Sequence, residues 1–341
     1  MTSLLRWIPL AAVLGAACTA SAADSTELAK RLHNAADLTS LDDPALKPWH
    51  LKITVQLYDA KGHPSEQGTV EEWWTPDADK RVYESPSYTA TEIRDKQGLH
   101  RTKGQATPSY FLNAIRERVV HPMATSDEID GSRPELRVET FGKVKLDCVM
   151  LSQPIKSIAF PPLGLFPTYC LSQNNDSLRF SYRFGSESAI FNSIGTFQGR
   201  KLAIDPTIET DGIKTVSGHV VSLDGKPFDA SIFTPSAGME DSSSELTKVG
   251  PGVMAGMILN KVQPVYPAAA KGNHTTGAVH MAAIIGTDGR IHSLKIVDAD
   301  DPSLAVSALT AVRQWTYKPY LLNGLPTEVD TIITVYYKMS P

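Results

Sequence analysis

Gln263-Pro264-Val265-Tyr266-Pro267, Gly277-Ala278-Val279, Asp288-Gly289-Arg290, Trp315-Thr316-Tyr317-Lys318-Pro319 and Asn323-Gly324 follow one another near the C-terminus, and the run Asp330–Lys338 closes the series. Val279, Met281, Ala283 and Ile285 alternate with smaller or polar residues, which predicts a half-buried strand over 277–285. Asp288-Gly289 is a hairpin turn signal, and Ile291–Val297 is the returning strand. Asp301 followed by Pro302 has the form of a helix N-cap and first position. Leu304, Ala308, Val312 and Trp315 then recur at helical spacing as a buried stripe. A short helix at 268–272 precedes the first strand, and Asn323-Gly324 turns the chain into a last strand, Val329–Lys338. This order predicts a two-layer α/β sandwich over 258–341.

The rest of the chain reads as separate parts. Its 341 residues exceed one ordinary core, and 42% hydrophobic with 21% charged residues is the composition of a folded protein. A formal net charge of −4 without basic blocks excludes a nucleic-acid footprint. Arg6, the apolar run 7–17 and Ala20-Ser21-Ala22 predict an export signal over 1–22, cleaved after Ala22. An uncleaved inner-membrane anchor is the alternative, disfavoured because a span needs about 20 apolar residues. Beyond the signal only Cys148 and Cys170 remain, and in an oxidising compartment they are expected to form a disulfide.

Residues 24–230 read as a β-rich domain. Leu28, Leu32, Ala35 and Ala36 mark a leading helix, and from Trp49 the period changes to two, with Leu51, Ile53, Val55 and Leu57 on one face. A series of strand-like runs follows to Leu223, interrupted by helical spacing over 110–119, and predicts one strongly curved antiparallel sheet or open half-barrel. Glu71-Glu72 and Trp73-Trp74 are adjacent pairs on a strand, so each pair splits across the two faces. Residues 231–257, with Thr234-Pro235-Ser236 and Gly250-Pro251-Gly252, read as a flexible linker. None of the nine His shows metal-ligand spacing, and no nucleophile elbow, phosphate loop or dinucleotide fingerprint is present. The expectation is a non-enzymatic protein without metal or cofactor.

The C-terminal series Gln263-Pro264-x-Tyr266-Pro267, Gly277-x-Val279, Asp288-Gly289-Arg290, Trp315-x-Tyr317-x-Pro319 and Asn323-Gly324 resembles the C-terminal domain of the energy-transducing protein TonB. The resemblance implies a periplasmic protein that binds an extended segment of an outer-membrane transporter, or of another envelope protein, by strand addition at its last strand. It implies Thr331, Ile333, Val335 and Tyr337 as the pairing strand, with Gln263 and Tyr266 beside the partner. Val335→Pro is then expected to delete an edge N–H, and an open edge also makes a homodimer a candidate assembly. The leading helix with "WHLKITVQLYDAKG", "GTVEEWW" and "GTFQGRKLAI" is similar to periplasmic lipoprotein carriers, which implies a second reading: a lipid or apolar ligand held in a concave face. The short linker and cleavable signal depart from an energy transducer, which needs a membrane helix and a long spacer.

Overall fold

The computed structural model describes residues 22–102, 110–153, 161–184, 187–242 and 246–339, so the expected export signal lies outside them except for Ala22. Helix α1 (Ala22–Thr39) leads into β1 (Trp49–Tyr58), whose alternate residues Trp49, Leu51, Ile53 and Val55 are buried. Hairpins continue the sheet through β2 (Pro64–Thr75), β3 (Ala78–Ser85), β4 (Tyr88–Asp95) and β5 (Gly98–Thr102). Helices α2 (Tyr110–Val120) and α3 (Ser126–Asp130) interrupt it, the latter started by a capping box between Thr125 and Glu128. The chain resumes with β6 (Arg133–Phe141), β7 (Val144–Ser152), β8 (Thr168–Ser172), β9 (Leu178–Tyr182), β10 (Ser188–Phe197), β11 (Arg200–Thr210) and β12 (Ile213–Asp224).

With β13 (Met239–Ser242) these strands form one antiparallel sheet in the order β13-β5-β4-β3-β2-β1-β12-β11-β10-β9-β8-β7-β6. The two ends do not pair, so the half-barrel is open. Its concave face is filled from within. Leu32 and Ala35 of α1 and Leu112, Ile115 and Val119 of α2 share one core with Ile53, Val70, Tyr83, Phe191, Ile208 and Val216 of the strands. Gly218 lets α2 lie close, since a Cβ there would overlap Ile115 and Ile53. Cys148 and Cys170 are direct cross-strand partners on β7 and β8 and form the expected disulfide, fully buried.

The pair Trp73-Trp74 divides as alternation requires. Trp74 is buried and stacks on Trp49, while Trp73 stacks on His50 on the opposite face. Glu72 shares the buried face, and it is not left alone there. Arg116 of α2 donates to it from Nε (2.8 Å) and Nη2 (2.6 Å), and Arg81 approaches at 3.2 Å while also pairing with Asp79 at 2.8 Å. Arg101 pairs with buried Glu92 on the same wing of the sheet.

The segment expected to be a linker is structured on both sides of residues 243–245, which lie outside the description. β13 pairs with β5, β14 (Thr247–Lys248) pairs with the last strand of the chain, and α4 (Pro251–Ala255) follows. Beyond it come β15 (Ile258–Asn260), α5 (Ala268–Gly272), β16 (Gly277–Ile285), β17 (Ile291–Ala299), α6 (Pro302–Val312), β18 (Thr316–Tyr317), β19 (Leu321–Leu322), β20 (Leu325–Pro326) and β21 (Val329–Tyr337). The second sheet runs β14-β21-β16-β17, with α6 packed on β16 and β17. Asp301 caps α6 as expected, accepting from the N–H groups of Ser303 (2.8 Å) and Leu304 (3.3 Å). The architecture is α+β: an open half-barrel with helices followed by a two-layer sandwich. Among the described residues no helix is long and apolar enough to cross a membrane.

A buried carboxylate loses most when its cation alone is removed. Arg116→Met is therefore expected to destabilise the protein by about 3–5 kcal/mol, and Arg116→Met with Glu72→Leu to recover most of that loss. Denaturant titration distinguishes the outcomes; a single variant costing under about 1 kcal/mol would show that Arg116 does not hold Glu72.

Candidate functional site

The site implied at the C-terminus is the outer edge of β21, and strand geometry decides what that edge offers. In an extended strand the N–H and C=O of one residue point to the same neighbour, and those of the next residue to the other. The Asp330 carbonyl accepts from the Val249 N–H at 2.9 Å, beside the parallel pairs Thr247↔Val329 and Lys248↔Asp330. Even-numbered residues of β21 therefore face outward, and odd-numbered ones face β16. The ladder agrees, because Ala278 of β16, opposite Tyr336, directs its carbonyl to Asp300 beyond β17. β14 takes the first outward residue, Asp330. The N–H and C=O of Ile332, Thr334 and Tyr336 remain without a strand partner among the described residues.

Side chains follow the same parity. Thr331, Ile333, Val335 and Tyr337 are buried, the latter three in the core with Val279, Met281, Leu304 and Ala308. Ile332 is 36% exposed and Tyr336 67% exposed on the opposite face, where Thr334 Oγ1 lies 3.0 Å from His280 Nδ1. The four strand residues expected to meet a partner thus hold the strand in place, and the even-numbered set between them forms the edge. Val335 pairs with Val279, so Val335→Pro would break the internal ladder and is not a test of the edge.

Gln263 is exposed, and Tyr266 is half-buried with its ring edge-on to Tyr337 at 5.4 Å and its hydroxyl donating to the Thr275 carbonyl. Tyr266 thereby anchors the segment 263–267 beside the end of β21. The other signature residues are architectural. Trp315 Nε1 donates to the Val262 carbonyl (2.7 Å), and the Tyr317 N–H donates to Gly289 (2.8 Å). Gly289 has φ +74°, and a Cβ there would strike the Tyr317 carbonyl, which accounts for the glycine.

The module is held against the half-barrel by packing and charge together. Met150, Leu165 and Phe166 of the half-barrel lie in one core with Val249, Met254 and the residues of β16, β21 and α6. Arg313 pairs with Asp211 at the β11–β12 turn. At a second point the Tyr110 hydroxyl shares its one proton between the His292 carbonyl (3.0 Å) and a Glu187 carboxylate oxygen (2.9 Å), and its ring lies 4.2 Å from that of His292. His292 sits between Asp288 (3.0 Å) and Glu328 (3.5 Å). Burial alone would lower the His292 pKa, but the two carboxylates outweigh it and push it up to about 9.

The concave face implied for a lipid carrier is occupied by α1 and α2. A cavity of about 10 Å³ beside Leu178 and Phe191 is at most one water in size. A groove of about 810 Å³ is open and has both polar and apolar walls, lined by Thr54, Val55, Gln56, Thr69, Glu84 and His219 among others.

A histidine whose pKa is raised on folding stabilises the native state fully below its unfolded value, near 6.5, and loses that contribution as pH rises through the folded value. The stability difference between wild type and His292→Gln is expected to be about 3 kcal/mol at pH 6 and to shrink as pH passes through about 9. Denaturant titrations from pH 6 to 10 check this; a difference that stays constant across the range would show that His292 is not charged in the native protein.

No curated protein matches the chain. Three solved structures align with part of it. They are a LolA superfamily protein from Nitrosomonas europaea (9% identity, 62% of this chain and 97% of that chain, TM-score 0.40), a DUF1329 family protein from Desulfovibrio piger (8%, 61% and 95%, TM-score 0.37), and lipoprotein LppX of Mycobacterium tuberculosis (8%, 60% and 98%, TM-score 0.24). Residues 262–339 match the family described as Gram-negative bacterial TonB protein C-terminal, which places the stretch carrying the β21 edge, and that stretch alone, in the TonB C-terminal family.

Proposed function

We propose that this chain is a non-enzymatic docking protein of the cell envelope, and that its C-terminal module binds an extended segment of an outer-membrane transporter or other envelope protein by strand addition to β21. The observation that carries the reading is the row of outward backbone groups at Ile332, Thr334 and Tyr336, flanked by exposed apolar side chains. An unpaired edge is a template for another strand, with main-chain hydrogen bonds supplying affinity and alternate side chains supplying selectivity. Ile332 and Tyr336 favour apolar or aromatic residues at every second position of the incoming segment. The fold supports presentation at a fixed orientation, since the module shares a core with the half-barrel.

Ten-residue synthetic peptides covering the periplasmic N-terminal segments of outer-membrane transporters provide the probe. Binding is expected to perturb and protect the amides of Ile332, Thr334 and Tyr336 while leaving those of Ile333 and Val335 unchanged. Thr334→Pro, which removes an outward N–H and leaves the β16 ladder intact, should weaken binding at least tenfold, or about 1.4 kcal/mol. A folded Thr334→Pro protein with undiminished peptide affinity would exclude β21 as the docking strand.

A further inference from the structure

The hairpin of β6 and β7, far from β21 in the chain, gathers exposed apolar side chains at one end of the large sheet. Leu136, Val138, Phe141 and Val144 are all exposed, the two valines by more than half (55% and 56%). Among the described residues of the half-barrel, only Ile213 and Val221 are other large apolar side chains so exposed. Single exposures of this kind are ordinary, but four on one hairpin form a patch. Phe141 stands opposite Val144, on the face of Leu146 and Cys148, and its ring lies 4.9 Å from that of Phe180. Leu136, opposite Val149, and Val138, opposite Asp147, lie on the other face. Gly142 makes the turn at φ +64°, and beside it Lys143 and Lys145 are exposed, without a carboxylate partner among the described residues. Of the hairpin's acids, Asp147 is taken by Arg31 (2.7 Å), and Glu135 and Glu139 lie back along β6.

We propose that this hairpin tip seats the protein on the surface of a bilayer that carries anionic phospholipids. Two features favour lipid over a protein surface. A protein partner covers one face of a hairpin, whereas here apolar side chains stand on both faces, which suits a medium that surrounds the tip. The two lysines sit at the same end, where they meet lipid phosphates while the apolar side chains reach the acyl boundary. A net charge of −4 opposes approach to an anionic surface in any other orientation, so the local cations set which end arrives first. Insertion is shallow, because β6 is the last strand of its sheet and its outer N–H and C=O groups would go unsatisfied in hydrocarbon. Met150, toward the other end of β7, belongs to the seam with the C-terminal module, about 20 Å from Val144 along the strand. Membrane contact at the tip therefore uses neither the seam nor the β21 edge.

Vesicles of phosphatidylglycerol and phosphatidylethanolamine, set against vesicles of phosphatidylcholine, test this with the exported protein purified from the cell envelope. An environment-sensitive fluorophore on Val144→Cys is expected to brighten and shift to the blue on the anionic vesicles. The same label on Val221→Cys, exposed on the central strand β12, should not respond. Lys143→Glu/Lys145→Glu should lower the affinity for anionic vesicles at least tenfold, and Val144→Asp should lower it as well. Lys61→Glu, a charge reversal at the exposed β1–β2 turn, should leave it unchanged. A label at position 144 that stays in water, equal binding to both vesicle types, or affinity indifferent to the lysine reversals overturns the proposal. Protection of the hairpin by an envelope protein, with no response to vesicles, overturns it too and assigns the tip to a protein partner.

Discussion

Alternation of backbone direction along β21 is the constraint on which the functional surface depends. Odd-numbered residues pair with β16, and their side chains fill the space beneath α6. Even-numbered residues then have no choice but to face away. One strand thus closes the core on one side and, among the described residues, presents peptide groups without a strand partner on the other. The short parallel strand β14 takes the Asp330 position and leaves a compact window from Ile332 to Tyr336. Exposed edges are usually shortened, charged or covered, and here the chain covers the beginning of its own edge and flanks the remainder with Asp330 and Lys338.

The second constraint is the seam between the modules. A tethered domain would carry a separate core, but Met150, Leu165 and Phe166 enter the same cluster as Leu304, Ile333 and Val335. The connector adds to this fusion by placing β13 on the outer edge of the large sheet and β14 on the edge of the small one. Val249 and Met254, which would be solvent-exposed in a flexible spacer, are buried. The half-barrel packs its helices and strands into one core. Its concave face is taken by two helices and, toward β2–β5, by the charged set Glu72, Arg81, Glu92, Arg101 and Arg116.

Local chemistry made much of this legible in the sequence. Period-two alternation marked most strands of the half-barrel, and Asp301-Pro302 and Asp288-Gly289 marked the helix start and the hairpin of the C-terminal module. The Cys148–Cys170 bond followed from composition and compartment. Non-local features were not legible. β14 is two residues whose pairing depends on a strand eighty residues later in the chain, and β8 is a short run between prolines and polar residues. Which of Glu71 and Glu72 is buried was hidden because Trp73 and Trp74 put an aromatic ring on both faces. The side chains of β21 were hard to orient for a similar reason, since both faces carry apolar residues. A signal existed there all the same: Asp330 and Lys338 have the same parity and mark the wet face.

Residue-resolved amide hydrogen exchange of β21, measured where the protein sediments as a monomer, tests the central claim most directly. The account predicts slow exchange at Asp330, Thr331, Ile333 and Val335 and fast exchange at Ile332, Thr334 and Tyr336. Uniform protection from Thr331 to Tyr337, or the inverse alternation, would contradict it.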